Sequence, residues 1–242
     1  MEKKNEIKGR FIILCLKERQ PKYDRVLAGL LHEIILVESM EPLVRFCIET
    51  PPSGVLIDMA SGARIGSSEM AILDNLKVTW PIIRCNVSAD GSVRVMHKEL
   101  EKTPLLPQAL DFIVQRVHNK EAKHLGARHI RINVRCRTRF QVPDDGNWRP
   151  GNVLNLSMGG AFILTHDPPQ IGEPVLLEFL DLFDSPLKCS AKTAWVRRWE
   201  ESDKLPGVGV AFQAETFEPG LKKALEDFLV KSFFKARTFF EI

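Results

Sequence analysis

Hydrophobic and polar residues follow two different grammars along this chain, and the change comes near residue 118. In the first half, short apolar runs alternate with segments whose apolar residues recur at helical spacing. Residues 11–16 (FIILCL), 34–37, 54–59 (GVLIDM) and 81–86 (PIIRCN) read as buried strands, with 93–96 as a further candidate. Between them, 23–32 places Val26, Leu27, Leu30 and Leu31 on one helical face. Residues 41–48 and 67–76 are the next helices, the latter opened by a serine cap, and 104–117 is the last. Strand–helix alternation of this kind predicts an N-terminal α/β domain over residues 1–118, with a parallel sheet covered by helices.

Beyond residue 118 a polar stretch, 119–126, reads as a linker. The pattern then turns to short strands broken by Gly, Pro, Asn and Asp: 132–140, 153–157, 161–165, 174–180, 187–196 and 207–212. Six such strands predict a small C-terminal antiparallel β-barrel. A terminal helix over 219–234, with Leu221, Ala224, Leu225, Phe228 and Leu229 on one face, completes a second domain of residues 127–242.

Composition narrows the function. Hydrophobic residues make up 44% and charged residues 27%, the balance of an ordinary soluble protein. No apolar run approaches the ~18 residues of a membrane span, and 11–16 is too brief for a signal-peptide core, so a cytoplasmic location is expected. The five cysteines (15, 47, 85, 136, 189) are scattered among apolar neighbours with no C-x-x-C pair, which predicts buried reduced thiols. The six histidines show no metal spacing, and no G-x-S-x-G, P-loop or G-x-G-x-x-G is present. With no nucleophile–base pair and no metal cluster, the reading is a binding module without a cofactor, not an enzyme. A net charge of +3 is close to neutral and argues against nucleic acid as the partner.

The charge is unevenly placed, however. Between residues 123 and 139 lie Lys123, Arg128, Arg131, Arg135, Arg137 and Arg139, with no Asp and only basic or neutral residues between them. If 132–140 is a strand, Ile132, Val134, Cys136 and Phe140 face one side, while Asn133, Arg135, Arg137 and Arg139 face the other, with Arg131 at the entry. Arginine offers a planar fork for phosphate or for the O6/N7 edge of guanine, and a flat surface that stacks on a base. The competing reading is a solvated strand face whose charges blunt an edge.

A second element is Asn155-Leu-Ser157-Met-Gly-Gly160. Here Leu154 and Leu156 are expected in the core and Asn155 and Ser157 on the opposite side. The glycines permit a tight turn and close approach of another group. A plain β-turn, with Asn and Ser satisfying local backbone groups, would use the same residues.

Together these segments resemble the PilZ family, whose site combines an R-x-x-x-R segment before the first strand with a later [DN]-x-S-x-x-G. The second motif matches at Asn155, Ser157 and Gly160. Trp195-Val-Arg-Arg, Gly207-Val-Gly-Val-Ala-Phe212 and the closing helix add to the likeness, which covers roughly 105 residues. The resemblance implies a sensor of a cyclic dinucleotide, cyclic di-GMP, with ligand-binding residues Arg128, Arg131, Arg135, Asn155, Ser157 and Gly160. The arginine motif departs from the pattern. Aligned by the strand, Arg131 takes the second arginine position and Ala127 the first, with Arg128 beside it; taken literally, Arg131 and Arg135 satisfy the motif. The first register is preferred, and it implies a site short of one charge-assisted contact, worth ~1.5–3 kcal/mol. The alternative function is a ligand-independent scaffold acting through a protein partner whose identity the sequence does not give.

The first half faintly resembles a response-regulator receiver. Asp58, ending GVLIDM, falls at that family's phosphoacceptor position. The acidic residues expected after the first strand to hold Mg²⁺ are replaced by Lys17-Glu18, and Cys85 and Asn86 stand where a Thr or Ser would end the fourth strand. The expectation is a degenerate receiver-like interaction domain.

Overall fold

The computed structural model describes residues 9–96, 104–118, 129–143, 145–199, 203–217 and 219–235. The chain divides into two compact units, Met1–Arg128 and His129–Ile242. The predicted linker 119–126, Ala127 and Arg128 lie outside the described residues.

The first unit is built on strands β1 (Arg10–Leu14), β2 (Glu33–Val37), β3 (Gly54–Asp58), β4 (Ile82–Val87) and β5 (Val93–Met96), in the order β2-β1-β3-β4-β5. β1 to β4 are parallel, as the alternation predicted. β5 is antiparallel to β4, a departure from an all-parallel sheet. The reason is length: residues 88–92 are too few for a crossover, so they close a hairpin with Gly91 at φ 82°. Helices α1 (Gln20–Leu27), α2 (Met40–Glu49), α3 (Met59–Gly62), α4 (Ser67–Lys77) and α5 (Leu106–His118) fill the connections. α1 starts and stops earlier than apolar spacing suggested. Pro21 favours the first turn, and Gly29 at φ 89° ends the helical path before Leu30 and Leu31.

Because β1 and β3 are apolar at nearly every position, both sheet faces must be covered. Phe11, Ile13 and Leu56 join one core with Tyr23 of α1 and Leu106 and Leu110 of α5. Ile12, Leu14, Val55 and Ile57 are equally buried and alternate to the other face. That face is left to α2 and α4, which pack on β1 and β4 and bury Leu43, Val44, Leu73 and Leu76.

The second unit is a closed barrel of β6 (Ile132–Gln141), β7 (Trp148–Ser157), β8 (Gly160–Leu164), β9 (Pro174–Phe179), β10 (Leu187–Arg197) and β11 (Gly207–Phe212), in the order β10-β11-β8-β7-β6-β9. All neighbours are antiparallel. β7 begins five residues before the predicted start. Pro150 and Gly151 read as breakers, yet Gly151 is needed there, because a Cβ would collide with Ile163 of β8. Phe140, Val153, Leu156, Ile163, Leu177, Ala191 and Val208 fill the interior. Helix α6 (Pro219–Lys235) packs on β6 and β10 through Leu221, Leu225, Leu229, Val230 and Phe233.

All five cysteines are buried as free thiols. Burial pushes the Cys85 and Cys189 thiols up from 9.0 to about 12, and raises Cys47 as well. A thiol that stays neutral in the fold ionises in the unfolded chain above pH 9. Its contribution to stability is therefore whole below that pH and is lost between 9 and about 12. Denaturant unfolding should show a plateau near neutral pH and then a fall of up to ~1.4 kcal/mol per pH unit for each buried thiol. Cys189→Ala should make that alkaline slope shallower; an unchanged slope would show that this thiol does not contribute.

Candidate site on the outer barrel surface

A strand shows its residues alternately to the two sides, and one inserted residue inverts the order beyond it. Two such insertions shape one surface of this barrel. Val153 pairs with Ile163 and Asn155 with Phe162, leaving Leu154 as the extra residue of β7. Thr193 pairs with Val210 and Trp195 with Gly209, leaving Ala194 as the extra residue of β10. Without the first bulge, Asn155 would share the inward side of Val153; without the second, Trp195 would follow Cys189, Ala191 and Thr193 inward. The outcome is an outer row in which Asn133, Asn155, Phe162, Gly209 and Trp195 stand side by side on five strands. The expectation that Leu154 and Leu156 both face the core is thus corrected. Leu156 is fully buried and Leu154, lifted by the bulge, is half-buried.

β6 sorts its arginines. Arg137 donates to Asp181 at 2.8 Å, and that contact holds the Asp181 carboxyl below the usual carboxylate range. Arg139 pairs with the buried Glu178 and lies 4.7 Å from the Trp148 ring centre. These two are tied into the barrel's own surface. Arg131 and Arg135 are exposed and have no ion-pair or hydrogen-bond partner among the described residues. Arg131 precedes Ile132, which pairs with Leu156, and Arg135 lies in the β6 irregularity opposite Leu154. Both therefore flank Asn155 on the outer surface.

The turn from β7 to β8 is Met158-Gly159. Ser157 is 3% exposed, and its hydroxyl donates to the Gly160 carbonyl at 3.1 Å. It closes the turn, as the plain β-turn reading required. Gly160 is held to glycine by β11, since a Cβ there would run into the Val210 carbonyl oxygen. The Phe212 amide also donates to the Gly159 carbonyl at 3.0 Å, stitching the turn to β11. Asn155 differs from Ser157: its Oδ1 is enclosed and accepts no hydrogen bond. An enclosed acceptor without a donor costs ~1–3 kcal/mol, so this atom is suited to a donor brought by a ligand.

Beside Asn155 lies an aromatic platform that sequence reasoning did not place in the site. Phe162 and Trp195 stack with centroids 5.3 Å apart and planes 12° from parallel. The Arg197 guanidinium sits 5.5 Å from the Phe162 ring centre and 5.3 Å from that of Trp195. The indole lies so close over Gly209 that any Cβ would collide with it. The signal available in sequence was Trp-x-Arg on one strand, a spacing that puts both side chains on one face. Of the predicted site residues, the structure brings Arg131, Arg135 and Asn155 to one surface, assigns Ser157 and Gly160 to the turn beneath it, and does not describe Arg128.

Residues 126–231 match the PilZ domain. No curated protein matches the chain. Among solved structures, the chain is similar to the Bacillus subtilis inhibitor of motility MotI/DgrA, at 12% identity and TM-score 0.40, covering 64% of this chain and 73% of that one. It is also similar to YcgR from Escherichia coli in complex with c-di-GMP, at 16% identity and TM-score 0.35, covering 42% of this chain and 43% of that one. A third is the Borreliella burgdorferi PlzA protein in complex with c-di-GMP, at 11% identity and TM-score 0.35, covering 57% and 68%. Motif, barrel topology and family match agree, and residues 126–231 of this chain form a PilZ domain.

Proposed function

We propose that this chain is a cyclic di-GMP effector that converts the level of the second messenger into a change of conformation or partner. The observation that carries this reading is the pairing of two arginines, Arg131 and Arg135, that have no side-chain partner among the described residues, with the Asn155 Oδ1 that accepts no hydrogen bond from them, on one outer surface of a PilZ barrel. The chemistry is complementary. Arginine forks suit the ligand's phosphates and the O6/N7 edge of guanine, and the guanine N1–H and N2–H groups are donors for an amide oxygen. The half-buried Trp195 indole, backed by the buried Phe162 ring, offers a flat face for a base. Arg131 stands three residues past Arg128, where the first unit ends, so a ligand held there acts directly on the segment that joins the units in sequence. Binding shifts a conformational equilibrium only in proportion to its difference in affinity between the two states.

The second reading, a scaffold that needs no ligand, has its own support. Ser157 is committed to its turn, and Ala127 stands where the family's first arginine is expected. Calorimetry separates the two. On the effector reading, cyclic di-GMP binds the full chain at low micromolar affinity or weaker, ~−8 kcal/mol or less favourable. An absence of binding heat at high micromolar ligand favours the scaffold.

The sorting of arginines makes a sharper test. Arg131→Ala should weaken binding by ~10- to 100-fold, the loss of one charge-assisted contact, while Arg137→Ala should change it by no more than ~3-fold because that side chain serves a surface ion pair. Ala127→Arg should tighten binding if Arg131 holds the motif's second position. If it does not, and Arg135→Ala proves as damaging as Arg131→Ala, the register running from Arg131 to Arg135 is the correct one. Trp195→Ala should cost ~1–3 kcal/mol of affinity if a base stacks on the indole.

A further inference from the structure

The C-terminal end of a central strand in a parallel sheet is where ligands and cations commonly gather. In the first unit that place belongs to Asp58, the last residue of β3, whose side chain is fully buried. Every acceptor position of this carboxylate is occupied from within. Oδ1 accepts from Arg19 at 2.9 Å and from the Tyr23 hydroxyl at 2.7 Å. Oδ2 accepts from the Ser61 amide at 3.1 Å and from the Ser61 hydroxyl at 3.2 Å. Since the one Tyr23 proton goes to Asp58, the 3.3 Å contact with Cys85 is made by the thiol donating to the phenol oxygen. Arg19 reaches on to the Asn86 side-chain oxygen at 3.2 Å, and the Leu16 amide donates to Ser61 Oγ at 2.8 Å.

Glu18, the acid that follows β1, is not part of the cluster. Its side chain is 63% exposed and its nearest cation is Arg64 at 3.7 Å. Among the described residues, no group of three or more His, Cys, Asp or Glu is arranged to hold a metal ion. The positive charge that a buried carboxylate requires is supplied by a guanidinium on the 3-10 helix Lys17–Arg19.

We infer that Asp58 is an internal counter-ion closed to divalent cations and to phosphoryl transfer, and that Arg19 is the pin that closes it. One carboxylate ties four segments together: the chain leaving β1 through Leu16 and Arg19, α1 through Tyr23, α3 through Ser61, and the end of β4 through Cys85 and Asn86. A cation could reach Oδ1 only by displacing Arg19, and a phosphoryl group would need an oxygen whose lone pairs are already taken. The first unit is thereby tied together at the C-terminal edge of its sheet, and Asp58 does not serve as an entry point for a phosphoryl signal.

Two measurements on the full chain test this. In the first, Mg²⁺ with beryllium fluoride, and Mg²⁺ with acetyl phosphate, should leave the unfolding temperature and the intact mass of the protein unchanged. A saturable stabilisation, or a phosphoryl adduct lost in Asp58→Asn, would overturn the inference. In the second, hydrogen exchange of residues 16–27 is followed by mass spectrometry. Arg19→Met should speed exchange there by at least ~10-fold while β6 to β11 keep their protection, because removing one partner strands a buried charge. Arg19→Met combined with Asp58→Asn should recover part of that protection. Equal exchange in Arg19→Met and the parent chain, or losses that simply add in the double variant, would show that Arg19 pins nothing.

Discussion

The barrel's outer surface depends on two residues that pair with nothing across the β7–β8 and β10–β11 ladders. Alternation along a strand is strict, so an apolar interior dictates what stands outside it. Leu154 and Ala194 break that dictation at one level of the barrel, each inverting the strand beyond it. Inner rows made of Val153, Ile163 and Val208 on one side and Leu156, Ala161 and Val210 on the other keep the core continuous. Between them the polar and aromatic row is turned outward. The site is thus a product of where regular pairing fails, and the closed barrel on either side supplies the rigidity that holds the failure in place.

Electrostatics then divides labour among like residues. Four arginines alternate from Arg131 to Arg139 along one face, yet only the two farther from the strand entry meet acids, Asp181 and Glu178, delivered by β9 and the residue pair that follows it. The two nearer the entry are exposed and meet no acid among the described residues. A charged group already engaged with a buried carboxylate, as Arg139 is, resists recruitment by a ligand, since leaving would abandon Glu178 to the more distant Lys188 at 3.8 Å. The same logic, carried further, closes the edge of the first unit, where the Arg19 guanidinium pairs with the buried Asp58 carboxylate.

Much of this was legible in the sequence. The six-strand pattern, the closing helix and the parallel order of β1 to β4 follow from apolar periodicity alone. The side on which Asn133, Arg135, Arg137 and Arg139 stand follows from alternation, which β6 obeys. What alternation could not reveal was its own interruption: nothing in Val153-Leu-Asn155 or Thr193-Ala-Trp195 distinguishes a bulge from a regular strand. Trp195 therefore did not declare itself as a surface residue. The direction of β5 was readable in principle from the short connector 88–92. The partner of Asp58 was not, because Arg19 reaches it across 39 positions of sequence by a fold-dependent path, while the adjacent acid Glu18 drew attention to the wrong residue.

Gly209 illustrates how a site can be governed by a residue that contributes no atoms to recognition. Its missing side chain is the floor on which the Trp195 indole lies, so the platform's height above the barrel is set by hydrogen where any other amino acid would place carbon. A survey of exposed polar and charged positions would pass over it, and a substitution there would leave every candidate contact residue intact in sequence. A side chain at position 209 would displace the indole and reshape this surface while every recognisable motif residue stayed in place.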